Sequence, residues 1–308
     1  MKTRSIGSLE VSVVGLGCNN FGGRLDAGAT ASVVGAALDA GISLFDTADI
    51  YGGTRSEEYL GQALGTRRDE IVLATKFGVP YEGHPGGGAP DSVRRAAEAS
   101  LRRLGTDRID LYQLHFPDPK TPIADTLGAL GELVAEGKVR EIGCSNVDAV
   151  QLGEADHAAA AGGPRFASVQ NHYNLLHREP EDSVLPECER LGLAFLPYFP
   201  LANGLLSGKY RRGQPVPEGT RIAGLDEDRR ADVLSDATLS RVEDLAELAA
   251  DHGRTLLELA VAWLLHRGPV ASVIAGATRP DQVRANAAAG DWVLPDEVAA
   301  AADRIAPR

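Results

Sequence analysis

One arrangement of residues recurs along the chain and limits its fold more than any other feature. A helix-like stretch is followed by a glycine and then by an apolar run, as in AALDAGISLFD, GQALGTRRDEIVLATK, LRRLGTDRIDLYQLH, LVAEGKVREIGCS, CERLGLAFLPY and LLHRGPVASVIAG. The glycines stand where a helix would stop, a position that commonly needs positive φ. They are Gly41, Gly65, Gly105, Gly137, Gly192 and Gly268. These junctions predict helices and strands in alternation.

The apolar runs predict buried parallel strands. IVLAT, IDLYQL and LAFLPY are mostly apolar rather than alternating, as in parallel strands covered on both faces. With VVGLGC and FASVQN included, the strand candidates number eight and lie at 13–18, 42–45, 71–75, 109–114, 139–144, 167–170, 193–198 and 271–274. The sequence therefore predicts an α/β fold, a (β/α)8 TIM barrel formed by residues 1–308 as one domain. The opening KTRSIGSLEVSVV predicts a β-hairpin that closes the barrel floor.

Two helix-like segments carry apolar residues at helical spacing, which we expect to face the core. In the segment TPIADTLGALGELVAEG they are Ile123, Leu127, Leu130 and Val134. In the segment TLLELAVAWLLHRG they are Leu256, Leu259, Ala260, Trp263 and Leu264.

Charge and composition exclude several classes of function. A formal net charge of -12 over 308 residues argues against a nucleic-acid partner, which requires clustered basic residues. Cys18, Cys144 and Cys188 are too few and too far apart for a disulfide framework or a zinc site, so we expect them to be packed in the core and no metal to be bound. The N-terminus has no signal-peptide core, and no apolar run approaches the roughly 20 residues of a membrane span. We therefore expect a cytoplasmic protein without a membrane partner.

Polar residues follow neighbouring strands where a barrel carries its chemistry. Asp46 and Tyr51 follow the second predicted strand, Lys76 the third and His115 the fourth. In a TIM barrel these carboxyl ends form one rim, so the four side chains should meet there. A lysine held positive by the aspartate is expected to lower the pKa of the tyrosine from its usual value of about 10. Such a tyrosine suits protonation of an oxygen that gains negative charge as hydride reaches its carbon.

With these residues located, the chain resembles the aldo-keto reductases over essentially its whole length. The motifs that carry the resemblance are GISLFDTADIYGGTRSEEYLG, IVLATKFG, IDLYQLHFPDP, GKVREIGCSN, SVQNHYNLL and GATRPDQVRAN. The resemblance implies a TIM barrel in which Tyr51 is the general acid, Lys76 and Asp46 tune it, and His115 orients the carbonyl. It also implies reduction of aldehydes and ketones with NADPH as the preferred cofactor and NADH as a possible one.

The resemblance further implies how the cofactor is held. The Rossmann-like segment GLGCNN lacks a third glycine and precedes no convincing helix, so we reject it as a dinucleotide site. The implied contacts are instead Ser145, Asn146 and Gln170 at the carboxamide, Tyr198 on the nicotinamide ring, Leu201, Gly204 and Lys209 at the pyrophosphate, and Gly276, Thr278, Arg279, Gln282 and Asn286 at the adenosine end. Arg279 at a helix start favours a 2′-phosphate, and hence NADPH. Phe199 and Ala285 replace a serine and a glutamate found in many relatives, which leaves NADH open.

The sequence leaves the substrate and the biological role open. We expect Asn19, Asn20 and Phe21 to line the pocket floor and Phe116 to make its wall apolar. The chain ends shortly after the last predicted helix, so we expect an open mouth that accepts varied aldehydes, ketones or sugars. One alternative is a dehydrogenase that oxidises a sugar or a pyridoxine-like alcohol with NAD(P)+. Another is a regulatory subunit resembling potassium-channel β subunits, which slow cofactor exchange would reveal. The oligomeric state is not predicted.

Overall fold

The strands of the computed structural model, which describes residues 1–160 and 162–308, form a hairpin and an eight-stranded sheet. They are β1 Thr3–Ile6, β2 Leu9–Ser12, β3 Val14–Gly17, β4 Leu44–Asp46, β5 Val72–Phe77, β6 Ile109–Leu114, β7 Val139–Ser145, β8 Ser168–His172, β9 Ala194–Tyr198 and β10 Val273–Gly276. Each of the eight predicted strand segments overlaps one strand of the larger sheet.

Helices follow the strands of the larger sheet and cover its outer face. They are α1 Ala27–Asp39, α2 Arg55–Leu64, α3 Pro90–Leu104, α4 Ile123–Ala135, α5 Ala149–Ala160, α6 Val184–Leu191, α7 Glu227–Val233, α8 Asp236–Asp251, α9 Leu256–Leu265, α10 Pro280–Ala289 and α11 Asp296–Ile305. Short 3-10 helices lie at Gly65–Glu70, Glu179–Asp182, Ala202–Ser207 and Ile222–Gly224. In the described part of the chain, no helix combines the length and the apolarity needed to cross a membrane.

The eight parallel strands curl into a nearly closed barrel. Their order is β10-β3-β4-β5-β6-β7-β8-β9, and every neighbouring pair is parallel. At the seam, the Phe195 N–H donates to the Pro269 carbonyl at 2.7 Å, and the Ala271 N–H donates to the Phe195 carbonyl at 3.0 Å. The predicted (β/α)8 barrel is confirmed, and its strands' carboxyl ends meet on one rim.

The N-terminal hairpin fills the opposite end of the barrel. Ile6, Leu9 and Val11 are buried against side chains that point into the barrel. The hairpin turn at Gly7 has φ +54°, and a Cβ there would lie 2.6 Å from the Glu141 carboxylate. That carboxylate accepts the Ser8 N–H at 2.8 Å, so the turn is tied to β7. The predicted closure of the barrel floor is confirmed.

The glycine predictions held with one exception. Gly41, Gly65, Gly105, Gly137 and Gly192 have φ between +49° and +77°. Gly268 does not have positive φ. Helix α9 ends at Leu265, its C-cap residue His266 is right-handed, and Gly268 lies in the turn beyond.

The apolar faces of the helices behave as predicted except at the ends of α4. Leu127 and Leu130 are buried, but Ile123 is half-buried and Val134 is 37% exposed. Both lie at the ends of the helix, where its neighbours cover it less. The five predicted core residues of α9 are all buried, as are the three cysteines.

Candidate active site

The carboxyl ends of the strands surround a cleft of about 830 Å³. Fifteen of the sixteen predicted site residues line it; Lys76 does not and lies beneath it against Asp46. The fifteen are Asp46, Tyr51, His115, Ser145, Asn146, Gln170, Tyr198, Leu201, Gly204, Lys209, Gly276, Thr278, Arg279, Gln282 and Asn286. The structure therefore brings the predicted set together at one site.

Asp46 and Lys76 form a buried ion pair. Asp46 is the last residue of β4, and its Oδ2 lies 2.5 Å from Nζ of Lys76 on β5. The ammonium also donates to the Thr47 carbonyl at 3.0 Å. Burial alone would lower the pKa of Lys76, but its interactions with the Asp46 carboxylate and then with Tyr51 outweigh burial and raise it. The lysine is therefore a fixed positive charge at neutral pH.

Tyr51 lies in the loop between β4 and α2, next to this cation. Nζ of Lys76 is 5.3 Å from the centre of its ring. The expectation of a lowered tyrosine pKa was wrong in sign: burial raises the pKa of Tyr51, and the opposing effect of Lys76 is smaller. The sequence does not show how deeply the phenol is buried, and burial decides the balance. The hydroxyl consequently keeps its proton at neutral pH.

His115 completes the group at the end of β6. Its ring meets the Tyr51 ring edge-on, with centroids 5.9 Å apart, and stacks on Phe116 at 5.2 Å. Burial, followed by the charge of Lys76, lowers the pKa of His115 to about 3, so the ring is neutral. Nδ1 is buried without a partner among the described residues, which leaves Nε2 as the nitrogen open to the cleft.

Hydrogen bonds hold the side chains at one end of the cleft. Asn146, with φ +58°, donates through Nδ2 to the His115 carbonyl at 2.9 Å and accepts the Tyr198 hydroxyl through Oδ1 at 2.8 Å. The Ser145 hydroxyl donates to the backbone carbonyl of Gln170 at 2.7 Å. One face of Tyr198 stacks on His172, with centroids 5.5 Å apart. This end is a rigid surface of amides and one aromatic ring.

Cations gather at the other end of the cleft. Burial and the charges of Arg24, Arg279 and Arg221 lower the pKa of Lys209. Among the described residues, only Arg279 of these four has an acidic partner, Asp281. Gly204, with φ +97°, leaves room for Lys209, since a Cβ there would lie 2.6 Å from Nζ. On a chain with net charge -12, such a cluster would attract an anion.

Three features of the cleft were missed or misplaced by sequence reasoning. Arg24 and Arg221 line it from loops, and the Arg221 guanidinium lies 5.2 Å from the Phe199 ring centre. For Arg221, the only available signal was a basic residue in the acidic stretch PEGTRIAGLDED. Asn20 lines the cleft as expected, as does Asn19, but Phe21 is fully buried away from it.

Comparison with protein families shows which family has this sequence pattern. A model of the Aldo/keto reductase family matches residues 13–307. The chain belongs to the aldo-keto reductase family.

Similar proteins include both enzymes and a channel subunit. The NADH-specific methylglyoxal reductase of Escherichia coli (strain K12) is 35% identical over 96% of this chain and 95% of its own. A probable voltage-gated potassium channel subunit beta of Arabidopsis thaliana is 35% identical over 95% of this chain and 92% of its own. The solved structure of the glycerol dehydrogenase AKR11B4 from Gluconobacter oxydans superposes with a TM-score of 0.86 at 32% identity, over 98% of this chain and 94% of that one.

These similarities define the class of activity. Aldo-keto reductases are NAD(P)H-dependent oxidoreductases that act on carbonyl and alcohol groups, and this chain is an oxidoreductase of that class. Small-molecule substrates fit the family. The regulatory-subunit alternative is not favoured, because the family model describes reductases and the similar proteins include a reductase and a glycerol dehydrogenase.

Proposed function

We propose that this reductase converts aldehydes or ketones to alcohols, with NADPH as preferred reductant and Tyr51 as proton donor. The observation that carries the proposal is the buried Asp46–Lys76 pair, with Lys76 5.3 Å from the centre of the Tyr51 ring and His115 edge-on to that ring. The bound nicotinamide supplies the hydride that the carbonyl carbon accepts.

The four side chains then have separate tasks at the carbonyl oxygen. His115 is neutral, so its exposed Nε2 orients the carbonyl by hydrogen bonding without competing for the Tyr51 proton. Tyr51 donates that proton, and the phenolate left behind is stabilised by the charge of Lys76. Asp46 keeps Lys76 charged throughout.

The cleft fits a nicotinamide dinucleotide in its chemistry. Its amides and the Tyr198 ring suit the carboxamide and ring of the nicotinamide, for which we propose Ser145, Asn146, Gln170 and Tyr198. The cations at the other end suit phosphates. There we propose Leu201, Gly204 and Lys209 at the pyrophosphate and Gly276, Thr278, Arg279, Gln282 and Asn286 at the adenosine end. Arg24 and Arg221 add charge to the same region.

Replacing Tyr51 with phenylalanine tests the proton donor. Tyr51→Phe removes the transferable proton but keeps the ring, so we expect carbonyl reduction to fall by about 10²- to 10⁴-fold while NADP+ affinity is kept. The measurement is NADPH oxidation with an activated aromatic aldehyde. Tyr59→Phe, on α2 and outside the cleft, is the matched control. Full activity of Tyr51→Phe would assign the proton to another group.

The reverse reaction is the second candidate function, supported by the similarity to a glycerol dehydrogenase. The same four residues serve oxidation, since Tyr51 then accepts the alcohol proton. Methylglyoxal with NADPH or NADH, and glycerol with NADP+ or NAD+, are the first substrates to compare. A higher kcat/KM in one direction at equal pH identifies the preferred reaction.

The choice between NADPH and NADH depends on Arg279. Its guanidinium pairs with Asp281 through contacts of 3.1 and 3.2 Å, but both side chains are exposed, and such a pair contributes at most about 1 kcal/mol. A 2′-phosphate would therefore displace Asp281. We expect Arg279→Met to weaken NADPH binding by roughly 10- to 100-fold and NADH binding little, as fits loss of a charged hydrogen bond.

Asp281→Asn is the companion to this substitution. It frees Arg279 and should strengthen NADPH binding, as measured by fluorescence titration. An equal loss of NADPH and NADH affinity in Arg279→Met would argue against recognition of the 2′-phosphate.

A further inference from the structure

Gln113 lies below the cleft and connects Asp46 of the proposed catalytic group to Gln170, a proposed cofactor contact. It lies on β6, is fully buried and does not line the cleft. Its Nε2 donates to Oδ1 of Asp46 at 3.0 Å, and its Oε1 accepts from Nε2 of Gln170 at 3.2 Å. Gln170 Nε2 also donates to Asp46 Oδ1 at 2.9 Å. The three side chains form a closed ring of hydrogen bonds.

The ring determines which way the Gln170 amide faces. An amide nitrogen carries two protons, and those of Gln170 go to Asp46 and Gln113. Only the side-chain oxygen of Gln170, Oε1, remains for a group in the cleft, and it can only accept a hydrogen bond. A flipped amide would set that oxygen against the Asp46 carboxylate, two acceptors without a proton between them. Gln170 is thus fixed as an acceptor, which matches the NH2 of a nicotinamide carboxamide.

The same ring orients Asp46. Two amide N–H groups donate to Oδ1 and leave Oδ2 for Lys76, 2.5 Å away. The strand register provides the space: Gln113 lies opposite Gly143, where a Cβ would come within 3.2 Å of the Gln113 Cγ. The residues proposed for cofactor binding and for proton donation are therefore held by the same buried side chain, Gln113.

We propose that Gln113 is a positioning residue. It holds the side-chain oxygen of Gln170 toward the nicotinamide carboxamide and the Asp46 carboxylate toward Lys76. The inference rests on the proposed cofactor role of Gln170. Gln113 itself touches neither substrate nor cofactor.

Ligand binding without turnover is the first test. Gln113→Met keeps the length and removes the amide, which frees Gln170 to rotate. NADP+ should bind about tenfold more weakly, as fits one disordered hydrogen bond, while 2′-phospho-ADP-ribose, which lacks nicotinamide, should bind as to wild type. Calorimetric titration measures both. Gln62→Met, at an exposed position of α2, is the control. Unchanged NADP+ affinity, or equal loss for both ligands, would overturn the proposal.

The pH profile of Gln113→Glu is the second test, and it separates positioning from a general effect on folding. A neutral glutamic acid keeps both bonds, donating to Asp46 and accepting from Gln170, whereas an ionised one repels Asp46. We expect kcat/KM near the wild-type value at low pH and a fall of at least tenfold as pH rises. A profile parallel to that of the wild type would contradict the proposal. Failure of the wild type to bind NADP+ would instead reject the proposed function itself.

Discussion

At the scale of single residues, burial decides the protonation of Tyr51 and His115, the two groups that we propose face the substrate carbonyl. It raises the pKa of Tyr51 above its usual value of about 10 and lowers that of His115 to about 3. Tyr51 therefore keeps its proton, and His115 stays neutral, across the physiological range. This differs from a tyrosine activated by a strongly lowered pKa, because the proton is present at every working pH.

A flat pH profile for carbonyl reduction follows from these shifts. An acid with a raised pKa loses its proton only above pH 10, and a base with pKa about 3 gains one only below about pH 4. We expect kcat/KM to be constant between pH 5 and 9, measured with saturating NADPH. An inflection of kcat/KM near pH 6.5 would mean that His115 has an ordinary pKa. An inflection between pH 7 and 9 would mean that the pKa of Tyr51 is lowered.

At the scale of the elements, local patterns were enough to predict the barrel and the rim. A glycine between a helix and an apolar strand is encoded within about ten residues, and parallel strands must end on the same side. The placement of Asp46, Lys76 and His115 followed from that geometry alone. Contacts between distant segments were not predictable in the same way. Arg24 donates to the Gly219 carbonyl, 195 residues away in the chain, and no local pattern shows where either loop runs.

Gln113 shows the limit of sequence reasoning most clearly. In IDLYQLH it is a polar residue between apolar ones, and nothing nearby indicates its partners. Its role depends on β6 pairing with β5 so that it lies opposite Lys76, and with β7 so that it lies opposite Gly143. A register shift of one residue would turn the amide out of the barrel. The same dependence on tertiary structure made the sign of the Tyr51 shift unpredictable.

At the scale of the whole molecule, a second buried acid behind the site links stability to pH. Asp49 is fully buried two residues before Tyr51, and neither carboxylate oxygen has a partner among the described residues. Burial, then the charge of Glu57, raises its pKa to about 7, against smaller opposing effects of Arg103 and Lys76. An unfolded aspartate has a pKa of about 3.9. Between these values the folded protein holds a proton that the unfolded chain does not, so the free energy of unfolding falls as pH rises.

Asp49→Asn should remove this dependence. The asparagine never ionises, so relative to wild type the variant should gain stability from pH 4 to 7, by up to about 4 kcal/mol, and gain nothing more above. Urea unfolding at half-unit pH intervals from 4 to 8 measures the difference, in which the contributions of other titrating groups cancel. Asp228→Asn, exposed on α7, is the control and should show no such trend. A stability difference independent of pH would mean that Asp49 is ionised in the folded protein at pH 4. Its charge would then need a partner close to the loop that carries Tyr51.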